Sequence, residues 1–575
     1  MKVSTDRQAI KWPLTFSLAD FLSLQAISLR LYQVTKLAET IHNVAHDRVI
    51  SLWRFMQTVQ PVKAAKQSLT SNAYLIQSNS RNLDGSARRN RVLFLVASIH
   101  ASSGKNLLST IKDLISLEQE YFISGFNTIL PVLTDALDIP EEAKTWPASV
   151  FSLVTGAFLL PAARLADIFG ANIVFNSGLV WYFIWSLVGG CSKNYMMMIF
   201  CRALQGLGPA AYLPAGIMLI GTIYRPGPRK NLVFSLYGAF SPLGFYSGIA
   251  VSGLSGHYLT WRWYFWIGAI MLFVVSIISL LSLPSVNSSS DSKMDWWGCA
   301  TIIPGLLLLV YAITDSTHAP DGWRTPYILV TFILGILFLC AAFYVEGWVA
   351  SSPLLPFDIF KVKYMTPLFT SLLFQYGVFG VYLFYANFYI QTILGKDTLI
   401  TTAWFAPMAA GGLILATAGG FTLHFIPGKL LLIISGLGYL VAMLLFALIP
   451  ENPNYWAYIF PAMIGTTVGV DITYSVSNIF ITTNLPKDRQ GVAGAVINTT
   501  VFVGISLFLG VADLTVSETA YLGLKGSYKA AFWFGVACAG VALVFLLFIK
   551  IGKAESDLTV EEREQLRASV VDGEV

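Results

Sequence analysis

"RALQGLGPAAYLPAGIMLIGTIYRPGPRKN" occupies residues 202–231. Between Arg202 and Arg225 no residue is charged, and the run closes on the basic cluster "RPGPRK" at 225–230. A helix crosses a bilayer with about 20 mainly apolar residues, so the stretch reads as a membrane span with a basic end. Arg202 has no acidic residue within ten positions on either side. An arginine at the bilayer centre costs about 2.5–3.5 kcal/mol on insertion scales. It therefore reads as a working residue turned toward protein. The alternative is a side chain snorkelling to the interface.

The rest of the chain fits a membrane setting. Of 575 residues, 55% are hydrophobic and 12% charged, against about 25% charged in soluble domains. The net charge of +5 gives no reason to expect a nucleic-acid partner. Cys191, Cys201, Cys299, Cys340 and Cys538 lie in or beside apolar runs and have neither metal-ligand nor disulfide-framework spacing. They read as small buried hydrophobes.

Outward from residues 202–231, thirteen segments read as spans: 146–165, 173–191, 196–221, 231–254, 263–283, 298–315, 326–346, 366–390, 401–423, 429–449, 456–480, 492–512 and 530–550. A weaker one precedes them at 115–137, where Glu118 and Glu120 sit in the first half and "FISGFNTILPVL" follows. Residues 93–114, broken by Lys105, Lys112 and Asp113, are the alternative first segment. The expected architecture is all-α and polytopic, with about fourteen transmembrane helices. Residues 93–283 form the first bundle, 284–365 a linker with two extra helices, and 366–550 the second bundle. Residues 551–575 form a charged cytosolic tail. Residues 1–92 hold thirteen Lys/Arg and five Asp/Glu and read as a basic, poorly ordered cytosolic extension. Within it, 13–35 suits a surface-lying amphipathic helix, and a mitochondrial presequence is the alternative. Basic residues beside the spans favour both termini in the cytosol. Asn287 falls in the cytosolic linker in that topology, so its glycosylation pattern is discounted.

Asp471 in "GTTVGVDITYSVSN" (465–478) reads as the only acid well inside a clear span, with Glu118 and Glu120 next. Asp315 and Glu346 fall at span ends and read as interfacial. A buried acid is costly unless paired or protonated, which makes Asp471 a site candidate by default. The bland reading is a structural hydrogen bond to a neighbouring helix. In "FQYGVFGVYLFYANFYIQ" (374–391), Gln375, Tyr382, Tyr385 and Tyr389 recur at helical spacing on one face. Such a stripe suits amphipathic, flat or cationic solutes, and the alternative is packing or an aromatic belt. Small residues at Gly206, Gly208, Gly244, Gly248 and Gly253 suit close helix packing. There is no phosphate loop, enzyme constellation or metal cluster, so no cofactor is expected and the chain does not read as an enzyme.

Two motifs carry a resemblance. "GAFLLPAARLADIFGANIVF" (156–175) places Arg164, Leu165, Ala166, Asp167 and Gly170 across a turn, and Arg202, Gln205, Gly206 and Gly208 open the segment that began this section. These resemble the 2–3 loop and helix 4 motifs of the major facilitator superfamily. The fourteen-segment count, "PKDRQGVAGAVINTT" (486–500) and "WRWYFWIGA" (261–269) resemble its drug:proton antiporter branch. The stretch from "FISGFNTILP" to "WRWYFWIGA" is similar to the fungal low-affinity ammonium transporter-like members of that branch. Ala163, Ile168, Ala171 and Asn172 depart from the loop motif, and "GFYSGIAVSG" (244–253) has Ile249 where the antiporter motif has proline.

The resemblance implies proton transfer at Arg202, with Asp471, Glu118 or Glu120 as the coupling acid, and a cytosolic gate at Arg164, Asp167 and Gly170. It implies a substrate cavity taking in Gln205, Gln375, Tyr382, Tyr385 and Tyr389. "GGFTLHFIPGKLL" (419–431) stands in the second half where the 2–3 loop stands in the first, as paired halves require for alternating access. The expected function is proton-coupled efflux of small amphipathic organic compounds by a monomer in the plasma membrane, with the vacuolar membrane as alternative. The partners are the substrate, protons and the lipid bilayer. Uptake or leak of a small solute such as ammonium is the runner-up, and a non-transporting receptor or scaffold the third reading.

Overall fold

The computed structural model describes residues 117–552, apart from 224–227, 284–292, 423–425 and 485–489. The amino-terminal extension, the alternative segment 93–114, most of the "RPGPRK" and Ser-rich loops, Asn287 and nearly all of the carboxy-terminal tail lie outside the described residues. Fourteen long helices run through the rest: α1 (117–136), α2 (Trp146–Phe169), α3 (Ala171–Gly189), α4 (Tyr195–Ile223), α5 (Pro228–Tyr258), α6 (Arg262–Ser282), α7 (Trp296–Asp315), α8 (Pro326–Tyr344), α9 (Met365–Phe388), α10 (Thr398–Thr422), α11 (Gly428–Ala447), α12 (Phe460–Asn484), α13 (Gln490–Glu518) and α14 (Gly523–Phe548). Among the described residues there is no strand, and eleven helices are long and apolar enough to cross a membrane.

Local chemistry sets several boundaries. Gly170 has φ 94° and ψ 135°, a backbone region open essentially to glycine, so it ends α2 and lets α3 start one residue later. Asp295 caps α7 by accepting from the Gly298 N–H at 2.9 Å, satisfying one free N-terminal donor. Pro147 and Pro326 occupy first-turn positions of α2 and α8, where a missing N–H costs nothing. Single π-turns at Val345–Val349, Tyr389–Ile393 and Tyr455–Ile459 adjoin α8, α9 and α12.

The packing repeats. In the first half α2 packs on α4, and α3 on α4 and α6; in the second α10 packs on α12, and α11 on α12 and α14. α1 lies against α5 through Gly125, Gly244 and Gly248, and against α6 through the Tyr121 hydroxyl. α9 meets α13 and α14 in the same way. Each of these pairs recurs eight helices later. The halves meet along two seams, α2 on α13 and α5 on α10, which the same shift of eight exchanges. α7 and α8 form the extra pair, and α7 leans on α2 and α13. Among the eleven helices long and apolar enough to cross a membrane, α2, α9 and α13 are the most enclosed and α8 the least.

Lipid offers helices no hydrophobic reason to associate, so close approach through small residues carries the packing. A methyl on Gly206 would lie 2.7 Å from the Phe151 carbonyl oxygen on α2, and one on Gly208 2.6 Å from Tyr182 on α3. Gly244 and Gly248 bring α5 onto the α1 backbone at Leu117 and Tyr121, and Gly253 brings it onto Thr402 of α10.

Two expectations need correcting. The thirteenth span continues past residue 512 to Glu518, because "ADLTVSE" keeps helical register against α2 and α9. Asp513 therefore lies within it, and Asp471 is not the only acid well inside a span. Glu346 is only 5% exposed: the π-turn after α8 folds it inward, where Oε2 accepts from the Leu355 N–H at 3.0 Å.

Candidate functional site

The two halves enclose a small cavity. Ile123 and Asn127 from α1 line it with Ser152 of α2, Phe379 and Leu383 of α9, and Ile505 and Leu509 of α13. It has room for about one water molecule. The wall follows from helical spacing: Glu120, Ile123 and Asn127 share one face of α1, and Tyr376, Phe379 and Leu383 share the matching face of α9.

Arg202 of α4 reaches this cavity and is 2% exposed. Phe126 and Phe151 cover its guanidinium, with the central carbon 3.9 and 4.2 Å from their ring centroids. Its Nε donates to the Pro147 carbonyl at 3.1 Å and its Nη1 to Gln205 Oε1 at 2.7 Å. Gln205 Nε2 in turn donates to the Ser186 hydroxyl at 2.7 Å. Gln205 thus orients the arginine, and among the described residues Arg202 has no ion pair.

The three candidate acids have separate surroundings. Glu118 is buried within electrostatic reach of Tyr121, Tyr182 and Tyr264 in the first half. Its Oε2 is buried without a hydrogen-bond partner among the described residues. Glu120 is hydrogen-bonded with Ser241 of α5 and lies within electrostatic reach of Asp471 on α12. Tyr376 and Tyr474 neighbour this pair. Asp471 Oδ2 is buried and also unpartnered among the described residues. Asp471 thus lies within electrostatic reach of Glu120 across the two halves, and no hydrogen bond or ion pair links it to Arg202 among the described residues.

Asp513 is the residue sequence reasoning missed. It follows Ile505 and Leu509 at steps of four, on the cavity face of α13. Thr145 donates to its Oδ2 at 2.9 Å and the Tyr385 hydroxyl to its Oδ1 at 3.5 Å, tying α2, α9 and α13 at the end carrying the 137–145 loop. At that end His257 Nδ1 also meets Asp397 Oδ2 at 2.6 Å across the α5–α10 seam. Gln391 Nε2 donates to the Thr128 carbonyl at 2.9 Å.

At the opposite end Arg164 pairs with Asp167 at 3.7 Å. Its Nη2 also donates to the Ser352 carbonyl at 3.0 Å and the Pro353 carbonyl at 3.3 Å. Arg164 therefore binds the end of α2 to the segment leading into α9, and Gly170 supplies the turn beyond.

The stripe on α9 is a single face, directed into the second half. Gln375 accepts from Thr473 of α12 at 2.8 Å. Tyr382 donates to the Met463 sulfur at 3.3 Å and packs on Phe446, while Tyr389 packs on Phe446 and Phe532. Tyr385 packs on Tyr528 and reaches Asp513. None of the four lines the cavity; Phe379, Gly380 and Leu383 do.

Two bundles related by a shift of eight helices, meeting at two seams around a small, mainly apolar cavity that Arg202 borders, make a multi-pass helical architecture. The sequence profile of the Major Facilitator Superfamily matches residues 120–509, and the chain belongs to that family. It is 34% identical over 412 residues to a low affinity ammonium transporter of Saccharomyces cerevisiae, covering 69% of this chain and 79% of the other. It is 31% identical over 453 residues to the efflux pump terJ of Aspergillus terreus, covering 76% and 87%. An aminotriazole resistance protein of Saccharomyces cerevisiae is 31% identical over 426 residues, covering 72% and 78%. An auto-inhibited POT family peptide transporter superposes with TM-score 0.58 at 14% identity, covering 80% of this chain and all of that one; this likeness shows the fold alone.

Proposed function

We propose that the protein couples proton movement to the export of small amphipathic organic compounds, with both termini in the cytosol. The observation that carries this reading is the Glu120–Asp471 pair between the halves. Two carboxylates within electrostatic reach of each other repel, so a proton or a cation is the stabilising occupant. They sit on opposite halves, so rocking one bundle against the other changes their separation and their hold on that occupant. The efflux and drug-resistance relatives support export. Arg202 keeps its charge at accessible pH and is not itself a proton carrier.

In vesicles with an imposed pH gradient, Asp471→Asn and Glu120→Gln each abolish uphill accumulation of substrate while exchange continues, because the cavity wall survives. Wild-type accumulation in both variants would sink the coupling role. The second reading, ammonium transport, is favoured by the same acid pair, which also suits a small cation, and by the ammonium-transporting relative. Counterflow of labelled methylammonium that disappears in Asp471→Asn would select it.

A further inference from the structure

We infer that the Arg202 end of the cavity is the subsite for the negatively charged head of the substrate, which makes small organic monocarboxylates with an apolar body a preferred substrate class. The inference rests on the transporter reading above and adds a chemical class to it.

The starting point is a cation without an anion. Arg202 is essentially buried, and among the described residues no carboxylate pairs with it. A buried charge is costly unless it is paired and hydrogen-bonded. Asp513 is engaged by Thr145 and Tyr385 instead, and Asp471 lies within electrostatic reach of Glu120. The groups that hold Arg202 are neutral: one carbonyl, one amide oxygen and two phenyl rings. They orient the guanidinium without cancelling its charge.

The geometry selects the shape of the missing partner. Phe126 and Phe151 occupy the region of the guanidinium faces, which leaves its edge for a ligand. Nε and Nη1 have their acceptors. Nη2 has no hydrogen-bond partner among the described residues, and Arg202 borders the cavity. A planar oxygen acceptor suits that edge, as carboxylates suit arginine in general. Asn127 and Ser152 line the same space with polar atoms, while Ile123, Phe379, Leu383 and Leu509 supply an apolar wall. The present cavity admits an oxygen-sized group, and the body of the ligand enters as the seams part. A primary ammonium is repelled here and finds its complement at the acid pair.

The test compares three ligands of one shape: benzoate, benzamide and benzylammonium. Equilibrium binding to the full-length protein in lipid nanodiscs is measured without any gradient. Benzoate is expected to bind about tenfold more tightly than benzamide, the scale of one charge-assisted hydrogen bond, and benzylammonium binding, directed to the acid pair, should not fall in Arg202→Gln. Arg202→Gln erases the benzoate preference, and Arg202→Lys restores only part of it because the planar fork is gone. Ser152→Ala lowers benzoate affinity by a smaller factor and serves if Arg202→Gln does not fold. Equal binding of benzoate and benzamide by the wild type overturns the inference, as does an absence of benzoate binding at millimolar concentration. Because no gradient is present, a failure of coupling in the Asp471→Asn vesicles leaves this result intact. Failure of benzoate to bind likewise leaves the coupling result intact.

Discussion

At the scale of single residues, the site depends on groups whose neighbours remove their freedom. Gln205 both accepts from Arg202 and donates to Ser186. Gln205→Leu leaves a buried guanidinium N–H without its acceptor, a loss of about 1–3 kcal/mol. We expect a lower midpoint of thermal unfolding in detergent, and an unchanged midpoint would show that water replaces the amide. Gly170 is a backbone case: φ 94° with ψ 135° costs a side-chain-bearing residue about 1–3 kcal/mol. Gly170→Ala should lower the same midpoint, whereas Ala171→Gly should not reproduce the strain. Arg202 was legible in the sequence because one charge in an apolar run is a strong signal. Its sandwich between Phe126 and Phe151 was not, because those rings come from α1 and α2 and contact it only after the bundle closes.

At the scale of helices, periodicity identified faces but not their directions. The spacing of Gln375, Tyr382 and Tyr389 correctly puts them on one side of α9. Which neighbour that side meets depends on the rotation of α9 about its axis, and the structure turns it toward α11, α12 and α14. The face offset by one residue, Tyr376, Phe379 and Leu383, meets α1. Asp513 escaped notice for a related reason: the apolar run stops at residue 512 while the helix does not. Its partners make α13 a clasp on α2 and α9. Asp513→Ala removes both hydrogen bonds, and Asp513→Asn keeps an acceptor oxygen for one of them. A cysteine installed by Ser152→Cys should therefore react with a thiol reagent applied from the 137–145 side fastest in the alanine variant, slower in the asparagine variant and slowest with Asp513 intact. Equal rates would mean that the clasp does not control access.

At the scale of the whole molecule, the shift-by-eight repeat gives the two seams equivalent roles, and both are shut at the end carrying the 137–145 loop. Thr145–Asp513 spans one seam and His257–Asp397 the other. Alternating access requires these contacts to separate once in every cycle, since the halves can expose the cavity to that side only by parting there. Joining positions 257 and 397 covalently should therefore stop turnover without disturbing the closed structure. The test introduces His257→Cys and Asp397→Cys together and applies a short bifunctional thiol reagent with a reducible link. We expect transport to fall in proportion to the fraction cross-linked and to return on reduction, while either single variant treated alike keeps its rate. Benzoate binding at equilibrium should survive the cross-link if ligand can enter from the opposite end. Full transport through a fully cross-linked protein would show that the α5–α10 seam stays closed throughout the cycle. The moving element would then have to be sought along α2 and α13 alone.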